Sequence, residues 1–494
     1  MNIRTAANLM DASASGLGVE LLDKEIKDFS IDSRATAAGE LFFALSQGDY
    51  ERAGFNGTFA DAHRFIPDAF ERGAVAAVAR AERVEGDALL ESLRPRLLVV
   101  DDCIAALQRL ARRVYEAWAR PVVAITGSAG KTTTKDLVAH ILGHEGRRVL
   151  KSERNYNNGL GLPLSVLQMV TEGRTPDQYD VAVLEMGMSS PTNEIARLCR
   201  ITPPDIGVEL LVAPVHLEYL GTIEAIARAK AELIEGLKPG GTAVLNADDE
   251  LVMAMRDLHD GPTVTFGIER SADVMAREIE TTKLGQSRFL LRTPSGEAEA
   301  VLPMPGRHNL MNALAASAVA TCFEIGVDEI ARALRTVVAP HMRGEVLDFA
   351  AGFTVVDDSY NSNPRSLSQM IITIAGAREA RRRIVVAGEM LELGPESAAL
   401  HAEAGREMAR AGVDMVWGVR EMAREIVSGA REAGMSAEAT RFFESAEEAA
   451  AALMEELREG DLVLIKGSRG VRTDKVVSAL RDRFPLVGGD ERKN

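Results

Sequence analysis

Cysteine is scarce in this chain of 494 residues, and the three present, Cys103, Cys199 and Cys322, stand far apart with no C-x-x-C spacing. Neither a disulfide framework nor a thiolate metal site is indicated. No apolar run approaches the roughly 18 residues needed to cross a bilayer, and the opening Met1-Asn2-Ile3-Arg4-Thr5-Ala6-Ala7-Asn8 lacks the apolar stretch of a secretion signal. The expectation is a cytoplasmic protein without membrane insertion. Positive charge is also in deficit: 57 Lys and Arg against 73 Asp and Glu leave a net charge of -16. That argues against nucleic acid as a partner, yet leaves room for a local basic pocket that takes a small anion. The chain shows no internal repeat and no long low-complexity tract.

A chain of this length is too long for one core and suggests three domains. Up to about residue 100, short strands such as Leu41-Phe42-Phe43-Ala44-Leu45 and Ala74-Val75-Ala76-Ala77-Val78 alternate with Gly- and Asp-rich turns. An amphipathic helix from Cys103 to Arg120 then leads through Pro121 into the strand Val122 to Thr126. Strand-like runs at Tyr179 to Glu185, Ile206 to Val212, Thr242 to Asn246 and Thr263 to Gly267 alternate with helical patterns. A hairpin around Thr293-Pro294-Ser295-Gly296 and a helix near Asn309 to Phe323 complete that unit. The alternation restarts with Phe353 to Asp357, Arg383 to Gly388, Met415 to Val419 and Asp461 to Ile465. The pattern predicts an α/β protein with mainly parallel sheets, whose ligands sit beyond the carboxyl ends of the strands. The charge run Arg378 to Arg383 reads as a solvated helix end.

Between Ile125 and Thr134 the sequence is Ile-Thr-Gly-Ser-Ala-Gly-Lys-Thr-Thr-Thr, an apolar strand running into a small-residue turn that opens a helix. Gly127, Ser128, Ala129 and Gly130 keep the backbone uncrowded, so successive N–H groups can face an anion. Lys131 adds a charge for terminal phosphates and Thr132 a hydroxyl for Mg2+. The loop is two residues shorter than the usual G-x-x-x-x-G-K-[ST]. A glycine-rich turn with an exposed lysine is the plain alternative.

Other residues carry chemistry in more than one reading. Asn155-Tyr156-Asn157-Asn158-Gly159 offers amides for sugar or phosphate oxygens, or is ordinary turn chemistry. Glu185 ends a strand, where a carboxylate suits Mg2+ or is a solvated terminus. His216 follows another strand end and is a site residue or a structural histidine. Lys230 falls, at about 100° per residue, within the apolar stripe of Ile223, Ile226, Ala227, Leu233 and Ile234. Its stem either snorkels to the surface or the inward amine has a site role. Asn309 caps a helix or meets a purine ring; Asp357 to Pro364 and Lys466 to Gly470 follow strands as an Asx-rich turn and a basic loop, or as contacts for ribose, metal or a carboxylate.

In order along the chain, the short G-x-x-G-K-T-T loop, the Asn-rich loop, Glu-Met-Gly, His-Leu-Glu, Ala-Lys-x-Glu, Gly-x-His-Asn-x-x-Asn, Asp-Asp-Ser-Tyr-Asn-x-Asn-Pro and Lys-Gly-Ser-Arg resemble the Mur ligases. Within that family the strings Asn155 to Asn158, Asp357 to Pro364 and Gly388 to Gly394 look most like the D-alanyl-D-alanine-adding members. The resemblance implies an N-terminal UDP-substrate domain (1–105), a central ATP-binding domain (106–338) and a C-terminal Rossmann-like domain for the incoming dipeptide (339–494). It implies that Ser33, Arg34, Asn155, Asn157 and Asn158 face the UDP substrate, and that Gly127 to Thr133 hold ATP phosphates. Asn309, Arg343 and Asp358 would reach the nucleotide. Thr132, Glu185, His216 and Lys230, the last as a carbamate, would hold Mg2+. The partners implied are UDP-N-acetylmuramoyl-tripeptide and D-alanyl-D-alanine, joined by a monomer through an acyl phosphate. Two stretches depart from the pattern: Asp49 to Arg64 is expanded, and Glu209-Leu210-Leu211-Val212-Ala213-Pro214 replaces a polar approach to His216. Rival readings are another amino-acid-adding Mur ligase, a folylpolyglutamate synthase, or a nucleotide-switched module that joins nothing.

Overall fold

The structure is a computed structural model and describes residues 1–55, 57–153, 156–188, 193–213, 221–284, 286–339, 341–377 and 379–488. Its strands form three sheets. The first is parallel, in the order β1 (Phe29–Ser30), β2 (Leu41–Phe43), β3 (Ala76–Arg80), β4 (Leu97–Val100).

The central sheet is built from β5 (Val122–Thr126), β6 (Val149–Lys151), β7 (Val181–Glu185), β8 (Ile206–Glu209), β9 (Thr242–Asn246), β10 (Thr263–Gly267), β11 (Val274–Lys283), β12 (Gln286–Thr293) and β13 (Gly296–Leu302). Their order is β13-β12-β11-β10-β9-β8-β5-β7-β6. All five residues of β5 are buried, as befits a continuous apolar run covered on both faces. Val123, Ile125, Val208 and Leu210 pack with helices Lys131–His144 and Arg307–Cys322. Ala124, Ala182 and Leu184 pack on the other face, with Leu233 of helix Ile223–Glu235. Because β7 and β8 flank β5, the strand order reverses there, which opens a crevice at the carboxyl edge.

The third sheet, β14 (Glu345–Asp348), β15 (Thr354–Asp358), β16 (Arg382–Gly388), β17 (Met415–Val419), β18 (Thr440–Phe443) and β19 (Asp461–Lys466), has the order β14-β15-β19-β16-β17-β18. Only its β14–β15 pair is antiparallel.

Two expectations change. The strand read as Ile206 to Val212 stops at Glu209, because the next residues turn to serve the phosphate turn. Ser128 N donates to Leu211 O at 2.9 Å, and Ala213 N donates to Ser128 Oγ at 2.9 Å. The charge run is not a helix end: its helix closes at Ala375, and Arg382 begins β16 while pairing with Asp461 at 2.6 Å and Glu456 at 2.7 Å. Arg378 lies outside the described residues.

Candidate active site

The turn after β5 has the shape that its composition predicts. Gly127 and Gly130 sit at φ 146° and 89°, in the region that favours glycine. A Cβ on Gly130 would lie 2.3 Å from Asn312 Oδ1, and one on Gly127 2.8 Å from Leu210 Cβ. The helix Lys131–His144 carries no side-chain cap, so its first N–H groups are left for an anion. Lys131 Nζ donates to Gly127 O at 2.7 Å. Burial lowers its pKa, opposed by the carboxylates of Glu185 and Glu209.

Glu185 closes β7 and is buried. Its Oε1 lies 3.2 Å from Lys135 Nζ without a hydrogen bond, while Lys135 donates to Ser152 O at 2.8 Å and Glu185 N donates to Ser152 Oγ at 3.1 Å. Lys131 and Lys135 stand four residues apart on one helix face; that spacing is the sequence signal from which Lys135 could have been found.

Lys230 is 2% exposed on helix Ile223–Glu235 and does not snorkel. Burial, then the nearby Lys131 charge, lowers its pKa to about 7. Across from it is Glu209, the first residue of the stretch that departs from the family pattern, to which the sequence assigned no role. It is 0% exposed, and burial pushes its carboxyl up to about 8 against the pull of Lys230 and Lys131.

The remaining candidates converge unequally. Arg343 Nη2 donates to Thr132 Oγ1 at 3.1 Å and its guanidinium lies 4.1 Å from the Tyr360 ring centre. Asp358 meets Lys466 at 2.5 Å, beside His308, whose imidazole burial pushes down to about 4. Asn309 is buried and donates to Pro305 O at 2.7 Å; its neighbour Asn312 faces Gly130. Asn158 Oδ1 accepts from Leu160 N and Gly161 N at 3.1 and 2.9 Å, which is turn chemistry, while Asn157 O accepts from Gly187 N at 2.7 Å beside Glu185. Ser33 is buried, whereas Arg34 is exposed and pairs with Asp32 at 2.8 Å. Asn155 and His216 lie outside the described residues. In the expanded stretch, Tyr50 stacks on Phe55 at 4.8 Å and meets Phe59 edge-on at 5.1 Å.

A second cluster, His341, Glu345 and Asp357, brings its ligand atoms within 4.8 Å of one another. It is neutralised internally, since Glu345 pairs with His341 at 2.9 Å and with Arg481 at 3.1 Å. No helix among the described residues is long and apolar enough to cross a membrane.

Comparison with known proteins gives the same frame. Residues 125–320 match the Mur ligase middle domain, and residues 342–469 match the Mur ligase, glutamate ligase domain. A UDP-N-acetylmuramoyl-tripeptide--D-alanyl-D-alanine ligase of Bacillus subtilis is 32% identical over 92% of this chain and 93% of its own length. A MurF crystal structure from Acinetobacter baumannii superposes with a TM-score of 0.81 at 27% identity, covering 97% of this chain and 98% of that one. The MurF ligase of Thermotoga maritima in complex with ADP gives 0.76 at 28% identity, over 94% and 99%. With two family models in the expected order and a relative above 30% identity along nine-tenths of the sequence, the chain belongs to the Mur ligase family.

Proposed function

We infer that the chain is an ATP-dependent ligase that adds D-alanyl-D-alanine to UDP-N-acetylmuramoyl-tripeptide, yielding the pentapeptide precursor of peptidoglycan, ADP and phosphate. The observation that carries this reading is the Arg343 to Thr132 contact at 3.1 Å, which docks the third sheet onto the phosphate loop. A nucleotide switch needs no such second body, whereas a ligase must bring an amine to an activated acid.

In the reaction, a carboxylate oxygen of the tripeptide bonds the γ-phosphorus of ATP as the bond to ADP breaks. The amine of D-alanyl-D-alanine then bonds the acyl carbon, loses a proton, and phosphate leaves. Gly127 to Thr133 cradle the phosphates through the uncapped helix terminus, and Lys131 leaves Gly127 O to meet the charge that builds on the transferring group. Arg343 and Asp358 hold the nucleotide from the third sheet, and Asn309 lies by the base. Docking of that sheet excludes water from the acyl phosphate. The donors fit Mg2+ ions: Thr132 and Glu185, whose Oε1 lacks a hydrogen-bond partner among the described residues, would give hard oxygen ligands to one, and His216 and Lys230 as a carbamate would hold another. Bound there, Mg2+ supplies charge neutralisation. Ser33, Arg34, Asn155, Asn157 and Asn158 serve the UDP substrate.

The acyl phosphate has an isotopic signature. Tripeptide labelled with 18O in its terminal carboxylate is expected to pass one 18O atom to the released phosphate, read by mass spectrometry. Phosphate free of label would contradict the intermediate.

A further inference from the structure

Glu209 has no place in the scheme above, yet its carboxyl is buried beside the phosphate loop. It is 0% exposed, and neither Oε1 nor Oε2 finds a hydrogen-bond partner among the described residues. In the parallel register Glu209 is paired with Thr126, the residue before the phosphate turn, and Thr126 Oγ1 is likewise buried without a partner. Residues paired across a parallel ladder share a face. Since Ile206, Val208 and Leu210 belong to the opposite face, Glu209 and Thr126 point toward helix Ile223–Glu235. There Gly207, two residues earlier, abuts Leu233 and Leu237, and Lys230 stands on the same helix. Three unpaired buried oxygens therefore gather on one face, and neither Lys230 nor Lys131 comes within ion-pair distance of Glu209.

Buried oxygens with no donor are costly, and persist where a ligand completes them. Lys131 cannot be that partner once it is drawn to phosphates. Lys230, on the facing helix, leaves both Glu209 oxygens without a hydrogen bond. A cation that accepts several hard oxygens would complete all three at once.

We propose that Glu209 is a direct ligand of a divalent cation on the Lys230 side of the sheet, with the Thr126 hydroxyl beside it. Glu185 serves the opposite side of β5, because its register partner Ile125 belongs to the other face. The proposal rests on the reading of this edge as a metal-dependent nucleotide site. It gives this chain a carboxylate ligand that the motif pattern does not contain.

The test uses the full-length enzyme with ADP bound and Mn2+ as the probe, followed by electron paramagnetic resonance. Glu209→Gln is expected to weaken one class of bound Mn2+ at least tenfold, whereas Glu185→Gln weakens a different class. Glu209→Cys is expected to shift the preference of that site from Mn2+ toward Cd2+, since thiolates favour soft ions. A purely structural role would not produce that shift. Circular dichroism and retained ADP binding check that both variants fold. Unchanged Mn2+ affinity in folded Glu209→Gln, or Glu209→Cys without Cd2+ preference, overturns the proposal. Failure of the wild-type enzyme to form ADP in response to the amine would instead overturn the ligase reading, so the two failures are separable.

Discussion

Lys131→Ala is expected to lower ligation about a thousandfold, the scale of losing a positioned charge from a transition state. The variant should still fold. Among the described residues the Lys131 amine makes one hydrogen bond, to Gly127 O, and its removal relieves a desolvated charge whose pKa burial already lowers. The glycines that shape the turn are untouched, so ADP should still bind, more weakly. The measurement is steady-state ADP formation with both substrates, alongside a thermal midpoint. A variant with wild-type melting and substantial turnover would remove Lys131 from the chemistry.

The second large effect concerns Lys230. Its amine titrates near 7 because burial and the Lys131 charge disfavour the ammonium. Against the ordinary lysine value this is a downward shift, so the uncharged amine predominates above about pH 7 and is lost as the pH falls through it. Carbamylation needs the uncharged form: the nitrogen bonds the carbon of CO2 and a proton is released. With 13C-labelled bicarbonate, a carbamate carbonyl signal is expected by NMR at pH 8, much weaker at pH 6, and absent in Lys230→Ala. Activity of CO2-depleted enzyme should recover on adding bicarbonate. Lys230→Ala should lose about a hundredfold or more in rate. Full activity in that variant would dismiss the assignment.

Lys230 also shows what the sequence made legible. Helical spacing put it on the apolar stripe but left a snorkelling stem open, and the structure places it 2% exposed. The strands Val122–Thr126, Thr242–Asn246, Thr263–Gly267 and Met415–Val419 were readable to the residue, because five-residue runs rich in β-branched and apolar residues stand between turn residues. Shorter strands were not: Val149–Lys151 spans three residues, and Thr440–Phe443 spans four and carries an arginine. These are held by their neighbours in the sheet rather than by their own pattern. At the site, Gly127, Gly130 and Glu185 announced themselves through strand-end spacing. Glu209 did not, since a lone glutamate in an apolar run gives no periodic signal, and its meaning arises only from the helix that crosses it. The Arg343 contact with Thr132, 211 residues apart, is likewise a product of how two sheets dock, which spacing cannot express.

The central claim is that this edge couples ATP cleavage to capture of one particular amine. Wild-type enzyme should be given ATP, Mg2+ and UDP-N-acetylmuramoyl-tripeptide carrying either diaminopimelate or lysine at its third position. D-alanyl-D-alanine, meso-diaminopimelate, L-lysine and glutamate are then supplied separately while ADP formation is followed. ADP release that starts on adding D-alanyl-D-alanine, with one tripeptide or both, and that stays at background with the other three, is the predicted result. ADP formation at the same rate without any amine, or preferentially with one of the other three, would contradict it.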